Sequence, residues 1–287
     1  MSFIDRIRTA RDFDALRFRP FLVAGKHCGW VRPAFVKQLA RWPEVFAIKA
    51  KSVSIAESLD SPESRSNAVA PILCTLRDEG LIQGWRNETY TVAADFGEPP
   101  LLIIERAAAR PFGIRTRGAH LNGIMGKATD CKMWIARRAA DKPIDPSMLD
   151  NLVGGGVGFG FSPLETIRKE CFEEAGISDE LAQRVEAKSV VTLLQEVPDG
   201  VHWEALYTFD LELTEAFQPV NHDGEVAEFR LLPIRDVRRL IRDTAEFTPD
   251  AALVVLDFLL RQEMSATTTS ERAKIDKLLR ETPDVKA

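Results

Sequence analysis

The sequence predicts an α+β fold divided between two domains, and three observations support this prediction. The chain has 287 residues, a length typical of one large domain or two ordinary ones. Segments with helical spacing of apolar residues alternate with short β-rich segments. The stretch PFGIRTRG marks a boundary near residue 115. We therefore expect a small α+β accessory domain at residues 1–115, a second domain at 116–265 and a helical tail at 266–287.

The accessory domain is predicted to mix helices and strands. FIDRIRTARDF repeats apolar residues at helical spacing, and FLVAGKHCGWV has the pattern of a strand, a turn and a second strand. Two further helices are expected to begin at Pro33 and at Ser61-Pro62, because proline fits the first turn of a helix. The remaining strands are predicted in VFAI, ETYTVAA and LLIIERAA. No catalytic cluster is recognisable in this domain, and we expect it to shape a substrate pocket.

The second domain is predicted to contain strands around a glycine-rich loop and a helix. CKMWIARRA is a predicted strand, and DKPIDPSMLDN is a turn-rich loop. SVVTLLQEV and HWEALYTFDLEL flank Pro198-Asp199-Gly200, which is a strong hairpin signal. VAEFRLLPI predicts a further strand and TPDAALVVLDFLLRQEM a helix, and the tail carries one short amphipathic helix.

The composition is that of a folded, mildly acidic protein. Hydrophobic residues make up 45% of the chain, enough to build a full core. A net charge of −5 gives no indication of a nucleic-acid partner. The four cysteines form no CxxC pair, so we expect neither zinc nor a disulfide framework and place the protein in the cytoplasm. Neither a secretory signal nor a membrane-spanning run is recognisable, so no membrane partner is expected.

The stretch GGGVGFGFSPLETIRKECFEEAGI contains well-marked signals for the start and end of a helix. Ser162 is a favourable N-cap, Pro163 fits the first helical position and Glu165 completes a capping box. Gly176 suits the left-handed residue that ends a helix. The sequence therefore predicts a helix over residues 163–175, with the apolar stripe Leu164, Ile167, Cys171 and Ala175 facing the core.

Three glutamates of this helix lie on one face. Glu170, Glu173 and Glu174 are at positions i, i+3 and i+4, where each like-charge pair costs about 0.2–0.5 kcal/mol. Lys169 is adjacent in sequence and is expected to point partly elsewhere. A divalent cation such as Mg²⁺ would reverse the sign of this energy, because hard cations prefer carboxylate oxygens. The alternative is a solvated acidic face behind a flexible loop.

This order of loop, helix and glutamates resembles the Nudix box, G-x5-E-x7-R-E-U-x-E-E-x-G-U, in which U is apolar. Gly155 takes the first glycine, and the motif continues through Glu170, Cys171, Glu173, Glu174, Gly176 and Ile177. Two positions depart, since Phe161 stands in place of the first glutamate and Lys169 in place of the arginine. The resemblance implies a Nudix α/β/α sandwich with a mixed sheet, preceded by the small α+β domain. It also implies a hydrolase of diphosphate linkages that uses Mg²⁺, with Mn²⁺ as an alternative.

The resemblance extends to Nudix proteins related to the region fused to some thiamine pyrophosphokinases, which carry an extra amino-terminal domain. It rests on one ordered block that contains His120, Asn122, Trp134, Arg137, Lys142, Asp150 and Asn151. The implied substrate is thiamine diphosphate or its oxo and oxy forms, hydrolysed to the monophosphate. A non-catalytic ligand-binding protein, or a hydrolase of nucleotide sugars or dinucleotides, remains an alternative.

The resemblance assigns roles to specific residues. The metal would be held by Glu170, Glu173 and Glu174. Glu225, in the loop Asn221-His222-Asp223-Gly224-Glu225, is the preferred further catalytic carboxylate, ahead of Glu228 and Glu196. The candidate substrate-binding residues are Gly155, Gly156, His120, Asn122, Arg137 and Arg138. His120 can equally be a satisfied hydrogen-bonding residue, and the arginines can equally be solvated. The expected partner is a small diphosphate, and a homodimer is a further expectation.

Overall fold

The computed structural model describes residues 2–127, 130–264 and 268–281. In the first part of the chain the helices and strands are α1 Phe3–Thr9, β1 Arg19–Val23, β2 Lys26–Val31, α2 Pro33–Leu39, β3 Phe46–Ile48, β4 Val53–Ile55, α3 Pro62–Asp78, β5 Thr89–Val92, β6 Leu102–Glu105 and α4 Ala109–Phe112. Strands β1 to β4 form a sheet in the order β2-β1-β4-β3, and β5 pairs with β6 in a separate hairpin. Helix α3 packs against β6, the second strand of this hairpin.

The second part of the chain forms a larger sheet between helices. Its elements are β7 Arg115–Met125, β8 Lys132–Arg138, β9 Leu149–Asp150, β10 Val153–Gly156, α5 Pro163–Ala175, α6 Asp179–Ala182, β11 Glu186–Val197, β12 Gly200–Glu212, β13 Val226–Pro233, α7 Ile234–Asp243, α8 Pro249–Arg261 and α9 Thr269–Arg280. The strand order is β11-β12-β7-β8-β13, with β10 added on β7 and β9 on β8. Strands β7 and β12 are parallel and the other pairs are antiparallel, so the sheet is mixed.

The two faces of this sheet are covered by different helices, as expected for an α/β/α sandwich. Helix α5 buries Ile167, Cys171 and Ala175 against one face. Helices α7, α8 and α9 cover the other face, and α8 is buried along most of its length. The predicted Nudix sandwich with a mixed sheet, following a small α+β domain, is confirmed.

The first helix packs away from its own domain. Phe3 and Ile7 of α1 lie in the same apolar cluster as Ile275 and Leu279 of α9. Arg6 also donates from Nε to the carbonyl of Ile241 in α7, at 3.1 Å. Packing therefore joins α1 and α9 to the core of the second domain. The predicted domain limits stay predictions, and residues 266–267 and 282–287 of the predicted tail lie outside the described residues.

A buried ionic network fastens the sheet to α8 and α9. Asp257 of α8 is fully buried and accepts hydrogen bonds from Thr208 Oγ1 at 3.2 Å and Arg261 Nε at 2.9 Å. Arg280 of α9 lies 2.6 Å from its other oxygen. Arg261 also binds Asp210 of β12, at 2.6 Å. Because buried charges are tolerated only when paired, this network fixes how the helices sit on the sheet.

Within the described residues, none of the helices is long and apolar enough to span a bilayer.

Candidate active site

The helix that carries the glutamates begins and ends as the sequence predicts. Ser162 accepts from the backbone N–H of Glu165, and the Glu165 side chain accepts from the backbone N–H of Ser162, so the capping box is formed. Gly176 ends the helix in the left-handed region, with φ of 63°. These caps fix the position of the helix relative to β10, which precedes it.

Strand β10 lies directly against the side chains of Glu170, Glu174 and Tyr90. A Cβ atom on Gly155 would be 2.7 Å from Cγ of Glu170, and one on Gly156 would be 1.7 Å from the hydroxyl of Tyr90. The backbone N–H of Gly154 donates to Glu174 Oε2 at 2.8 Å. The three glycines are thus needed for close approach, and successive residues of β10 face Glu174, Glu170 and Tyr90.

The three glutamates of α5 lie in different surroundings. Glu174 is buried, whereas the side chain of Glu173 is 40% exposed and that of Glu170 is 18% exposed. Lys169 donates from Nζ to Glu173 Oε2 at 2.7 Å and to Glu170 Oε1 at 3.3 Å. The expectation that Lys169 points partly elsewhere is therefore wrong. Its ammonium offsets the repulsion between the two outer glutamates.

The carboxylates that converge most closely come from two separate elements. Glu174, Asp223 and Glu225 each place one oxygen within 4.8 Å of the others. Three carboxylate oxygens at this spacing fit a hard divalent cation such as Mg²⁺ or Mn²⁺. Among the described residues, Glu170 and Glu173 are outside this group. The expected set of Glu170, Glu173 and Glu174 is thus represented in the group by Glu174 alone.

A compact turn holds the loop carboxylates in place. Asn221 donates from Nδ2 to Asp223 Oδ1 at 2.8 Å, and its Oδ1 accepts from the N–H of Gly224 at 2.6 Å. Asp223 Oδ1 also accepts from the N–H of Glu225 at 2.8 Å. Asn221 further donates to the carbonyl of Glu174 at 3.5 Å, so the turn is tied to the end of α5.

The pKa values of Glu174 and Glu225 are shifted in opposite directions. Burial raises the pKa of Glu174 well above its ordinary value, and the negative charge of Glu170 adds to this effect, although the Gly154 hydrogen bond opposes it. Burial also acts to raise the pKa of Glu225, but the hydrogen bond and charge of Lys142 outweigh it and the pKa is lowered. A bound cation would favour the ionised form of Glu174, because opposite charge stabilises a carboxylate.

Positive side chains surround Glu225. Lys142 donates from Nζ to Glu225, and Arg86 of the accessory domain donates to Glu225 Oε1 at 3.3 Å. A cavity of about 350 Å³ borders these residues together with Asp223. Cations beside a carboxylate cluster are suited to a phosphate group, which carries the opposite charge.

The other predicted substrate-binding side chains are occupied elsewhere. His120 is buried, with Nδ1 3.0 Å from Asn151 Oδ1. Asn122 is fully buried and is hydrogen-bonded to Asp210 and Asn151, both at 3.0 Å, which argues against a substrate contact.

The two predicted phosphate-binding arginines donate hydrogen bonds to the loop that follows β8. Arg137 donates to the carbonyl of Ser147 at 2.7 Å. Arg138 pairs with Asp150 at 2.8 Å and donates to the carbonyl of Ile144 at 3.0 Å. The arginines that the structure places nearer the carboxylates are in the accessory domain. The alternative acids are also engaged, Glu228 by Arg230 and Glu196 by Arg17 and Arg32.

A second group of metal-type side chains contains His202, Glu204 and Asp250, and in it Asp250 Oδ1 is buried without a hydrogen-bond partner among the described residues. His202 Nδ1 lies 3.2 Å from Arg110 Nη2, which can only donate, so the proton of His202 is assigned to Nε2. That Nε2 lies 2.8 Å from Glu204 Oε2 and donates to it. Asp250 is the third member of the group. Because Arg110 belongs to α4, we assign this group to holding the two domains together.

We expect Gly156→Ala to destabilise the protein by about 1–3 kcal/mol, the usual cost of overpacking. The new methyl would lie 1.7 Å from the Tyr90 hydroxyl, and Tyr90 is itself buried in the accessory core. Thermal unfolding measures the effect.

Two further variants test whether the clash with Tyr90 causes the loss of stability. Gly158→Ala is the control, because its Cβ would meet nothing closer than 3.7 Å. Adding Tyr90→Phe to Gly156→Ala removes the closest atom and should recover part of the loss. An unchanged melting temperature for Gly156→Ala would contradict the close packing of the two domains.

Solved structures similar to this chain include Nudix proteins. The Nudix domain of Shewanella oneidensis NrtR in complex with ADP ribose has 14% sequence identity and a TM-score of 0.40, covering 52% of this chain and 90% of that one. A C. elegans Ap4A hydrolase has 17% identity and a TM-score of 0.37, covering 50% of this chain and 94% of that one. These low scores add no argument about activity.

Sequence matches carry the family assignment. The model described as NUDIX domain matches residues 122–251, and the model described as Domain of unknown function (DUF4743) matches residues 2–116. Nudix hydrolase 24, chloroplastic, of Arabidopsis thaliana is 37% identical over 91% of this chain and 72% of its own length. Nudix hydrolase 20, chloroplastic, of the same plant is 37% identical over 85% of this chain and 68% of its own length. The chain therefore belongs to the Nudix hydrolase family and is a pyrophosphohydrolase of that family.

Proposed function

We propose that this Nudix hydrolase converts thiamine diphosphate, or its oxo and oxy analogues, to the monophosphate in a Mg²⁺-dependent reaction. The substrate class comes from the resemblance to the thiamine pyrophosphokinase-related branch. One observation carries the chemistry: Glu174, Asp223 and Glu225 converge within 4.8 Å beside the cations Arg86 and Lys142. This arrangement provides sites for a divalent cation and for phosphate charge next to each other.

The residues that would hold the metal are Glu174, Asp223 and Glu225, since all three offer carboxylate oxygens. When bound, Mg²⁺ supplies a hard Lewis acid that neutralises phosphate charge. Mn²⁺ accepts the same ligands and is expected to substitute for it.

Other side chains near the cavity have separate roles in the proposed reaction. A carboxylate with a lowered pKa is a weak proton acceptor, so Glu225 is better suited to binding a cation than to acting as the general base. This supports the role of an extra metal ligand over that of a base, the two roles that the sequence leaves open for this carboxylate. Arg86 and Lys142 would orient the phosphate, because they place positive charge at the cavity that borders Asp223 and Glu225.

A panel of diphosphates tests this proposal. Thiamine diphosphate, a nucleotide sugar, a dinucleotide and isopentenyl diphosphate are incubated with the protein, with and without EDTA, and products are identified by mass. We expect thiamine monophosphate and phosphate from thiamine diphosphate, loss of activity with EDTA, and recovery with excess Mg²⁺. Turnover that survives chelation, or a clear preference for the nucleotide compounds, would overturn it.

A ligand-binding protein without catalysis is the second candidate, and one observation favours it. Lys169 already neutralises Glu170 and Glu173, which carry metal in the family pattern. If every compound on the panel is left uncleaved while thiamine diphosphate binds in a calorimeter, this second function is correct. The cytoplasmic location and the homodimer stay predictions.

A further inference from the structure

A second cavity lies between the accessory domain and the loop that follows β10. Its volume is about 230 Å³, and aromatic side chains contribute much of its wall: Tyr90, Phe96, Phe159 and Phe161. Phe159 is 44% exposed and Phe161 is 52% exposed. Large aromatic side chains gathered around one concave surface are typical of a binding site for a flat apolar group.

The walls of this cavity are held in place by contacts between the domains. The backbone N–H of Phe159 donates to the carbonyl of Thr89 in β5 at 2.7 Å. Arg117 of β7 donates to the carbonyl of Phe161 at 3.4 Å. A preformed wall lowers the ordering cost of binding, so the cavity is suited to receive a ligand without rearrangement.

The acids in the cavity wall are paired. Arg115 pairs with Asp95 at 2.8 Å and lies over the ring of Phe96 at 4.0 Å from its centre. Glu98, the other acid in the wall, pairs with Lys26 at 2.5 Å. Arg117 adds positive charge to the wall, and the aromatic faces favour stacking with a planar ring.

Strand β10 connects this cavity to the carboxylates. Gly154 binds Glu174, Gly155 packs on Glu170, and Val157 lines the cavity. From Gly154 to Val157 an extended chain spans about 10 Å. This distance is short enough for one diphosphate ester to reach from the carboxylates to the cavity.

We propose that this cavity binds the planar heteroaromatic ring of the diphosphate substrate, and that Phe161 is the residue that selects for it. This inference rests on the proposed hydrolase function and adds the place where the non-phosphate part binds. Phe161 stands where the family motif has a glutamate. An aromatic side chain there offers a stacking face that a glutamate lacks.

Phe161→Ala and Phe96→Ala test the proposal, with thiamine diphosphate as the ring-bearing substrate and isopentenyl diphosphate as the acyclic one. Stacking lost by alanine substitution corresponds to about a 5- to 160-fold weaker interaction with a ring. We expect kcat/KM for thiamine diphosphate to fall by that factor, mainly through KM, while the value for isopentenyl diphosphate is unchanged. Phe161→Leu, which keeps apolar bulk but has no ring, should lose most of the same factor.

The controls separate failure of this inference from failure of the hydrolase proposal. Val190→Ala removes a similarly exposed apolar side chain from β11, where Val190 is 45% exposed, and should change neither substrate. Calorimetric binding of thiamine monophosphate gives a readout that needs no turnover, and it should weaken in Phe161→Ala. If the wild type hydrolyses thiamine diphosphate but the phenylalanine variants match it in KM and in binding, the ring site is wrong and the hydrolase stands. If no diphosphate is cleaved, binding of the monophosphate alone decides the ring site.

Discussion

Glu174→Gln is expected to lower kcat by at least about a hundredfold, because even changes in the shell around a metal's ligands cost about 10- to 100-fold. Glu174 is buried, receives the Gly154 hydrogen bond and belongs to the converging carboxylate group. Glutamine keeps the shape and removes the charge. Initial rates of phosphate release at saturating thiamine diphosphate, together with Mn²⁺ affinity from electron paramagnetic resonance, measure the loss.

Comparing the kcat of Glu173→Gln with that of Glu174→Gln shows which of these two glutamates acts as a metal ligand. Glu173 is half-exposed and bound to Lys169, outside the converging group, so its loss should be smaller than that of Glu174. Asp223→Asn should resemble Glu174→Gln. Glu180→Gln, an exposed position on α6, is the control and should have no effect. Equal losses at Glu173 and Glu174, with Asp223→Asn fully active, would place the metal on the glutamates of α5 instead.

Asp257→Ala is expected to destabilise the protein by about 3 kcal/mol. Removing one partner of a buried ion pair typically costs about 3–5 kcal/mol. The lower end applies here, because Arg261 keeps Asp210 as a partner and Arg280 is 35% exposed. Urea unfolding followed by circular dichroism measures the change.

Asp243→Ala provides the matched control, since Asp243 is exposed and its partner Arg242 is next to it in the chain. Its transition midpoint should not move, because exposed ion pairs contribute little. If Asp257→Ala unfolds at as high a urea concentration as Asp243→Ala, the buried ionic network does not fasten α8 and α9 to the sheet.

Local signals predicted most of the secondary structure. The helix of residues 163–175 was bounded by Ser162 and Gly176 because capping depends on a few neighbouring residues. The hairpin at Pro198-Asp199-Gly200 formed for the same reason. Strands β4, β7, β9 and β10 and helices α4, α6 and α7 have no counterpart among the predicted elements. Strand β10 reads Val-Gly-Gly-Gly, and its pairing with β7 is a tertiary contact that local propensity does not contain.

Of the three converging carboxylates, the sequence analysis names Glu174 from the motif and Glu225 from the later loop. It does not name Asp223, although this residue stands two residues before Glu225. No pattern in the sequence points to Arg86 as a site residue. It comes from the other domain, and the sequence separation of 139 residues between Arg86 and Glu225 hides the contact.

The spacing of three like charges on one face of α5 predicts a cation that offsets their repulsion. In the structure Lys169 donates hydrogen bonds to Glu170 and Glu173, and a backbone N–H donates to Glu174. The case for the metal now depends on Glu174 together with Asp223 and Glu225, a grouping that the spacing of α5 alone could not reveal.

The docking of α1 beside α9 has a consequence for biosynthesis. Phe3 and Ile7 share their cluster with Leu279, and Arg11 donates to the carbonyl of Leu279 at 2.9 Å across 268 positions of sequence. While the ribosome is still translating the intervening segment, the leading helix has no surface to cover its apolar side. Contacts this distant in sequence form slowly, so completion of that cluster is a late event that must follow the synthesis of α9.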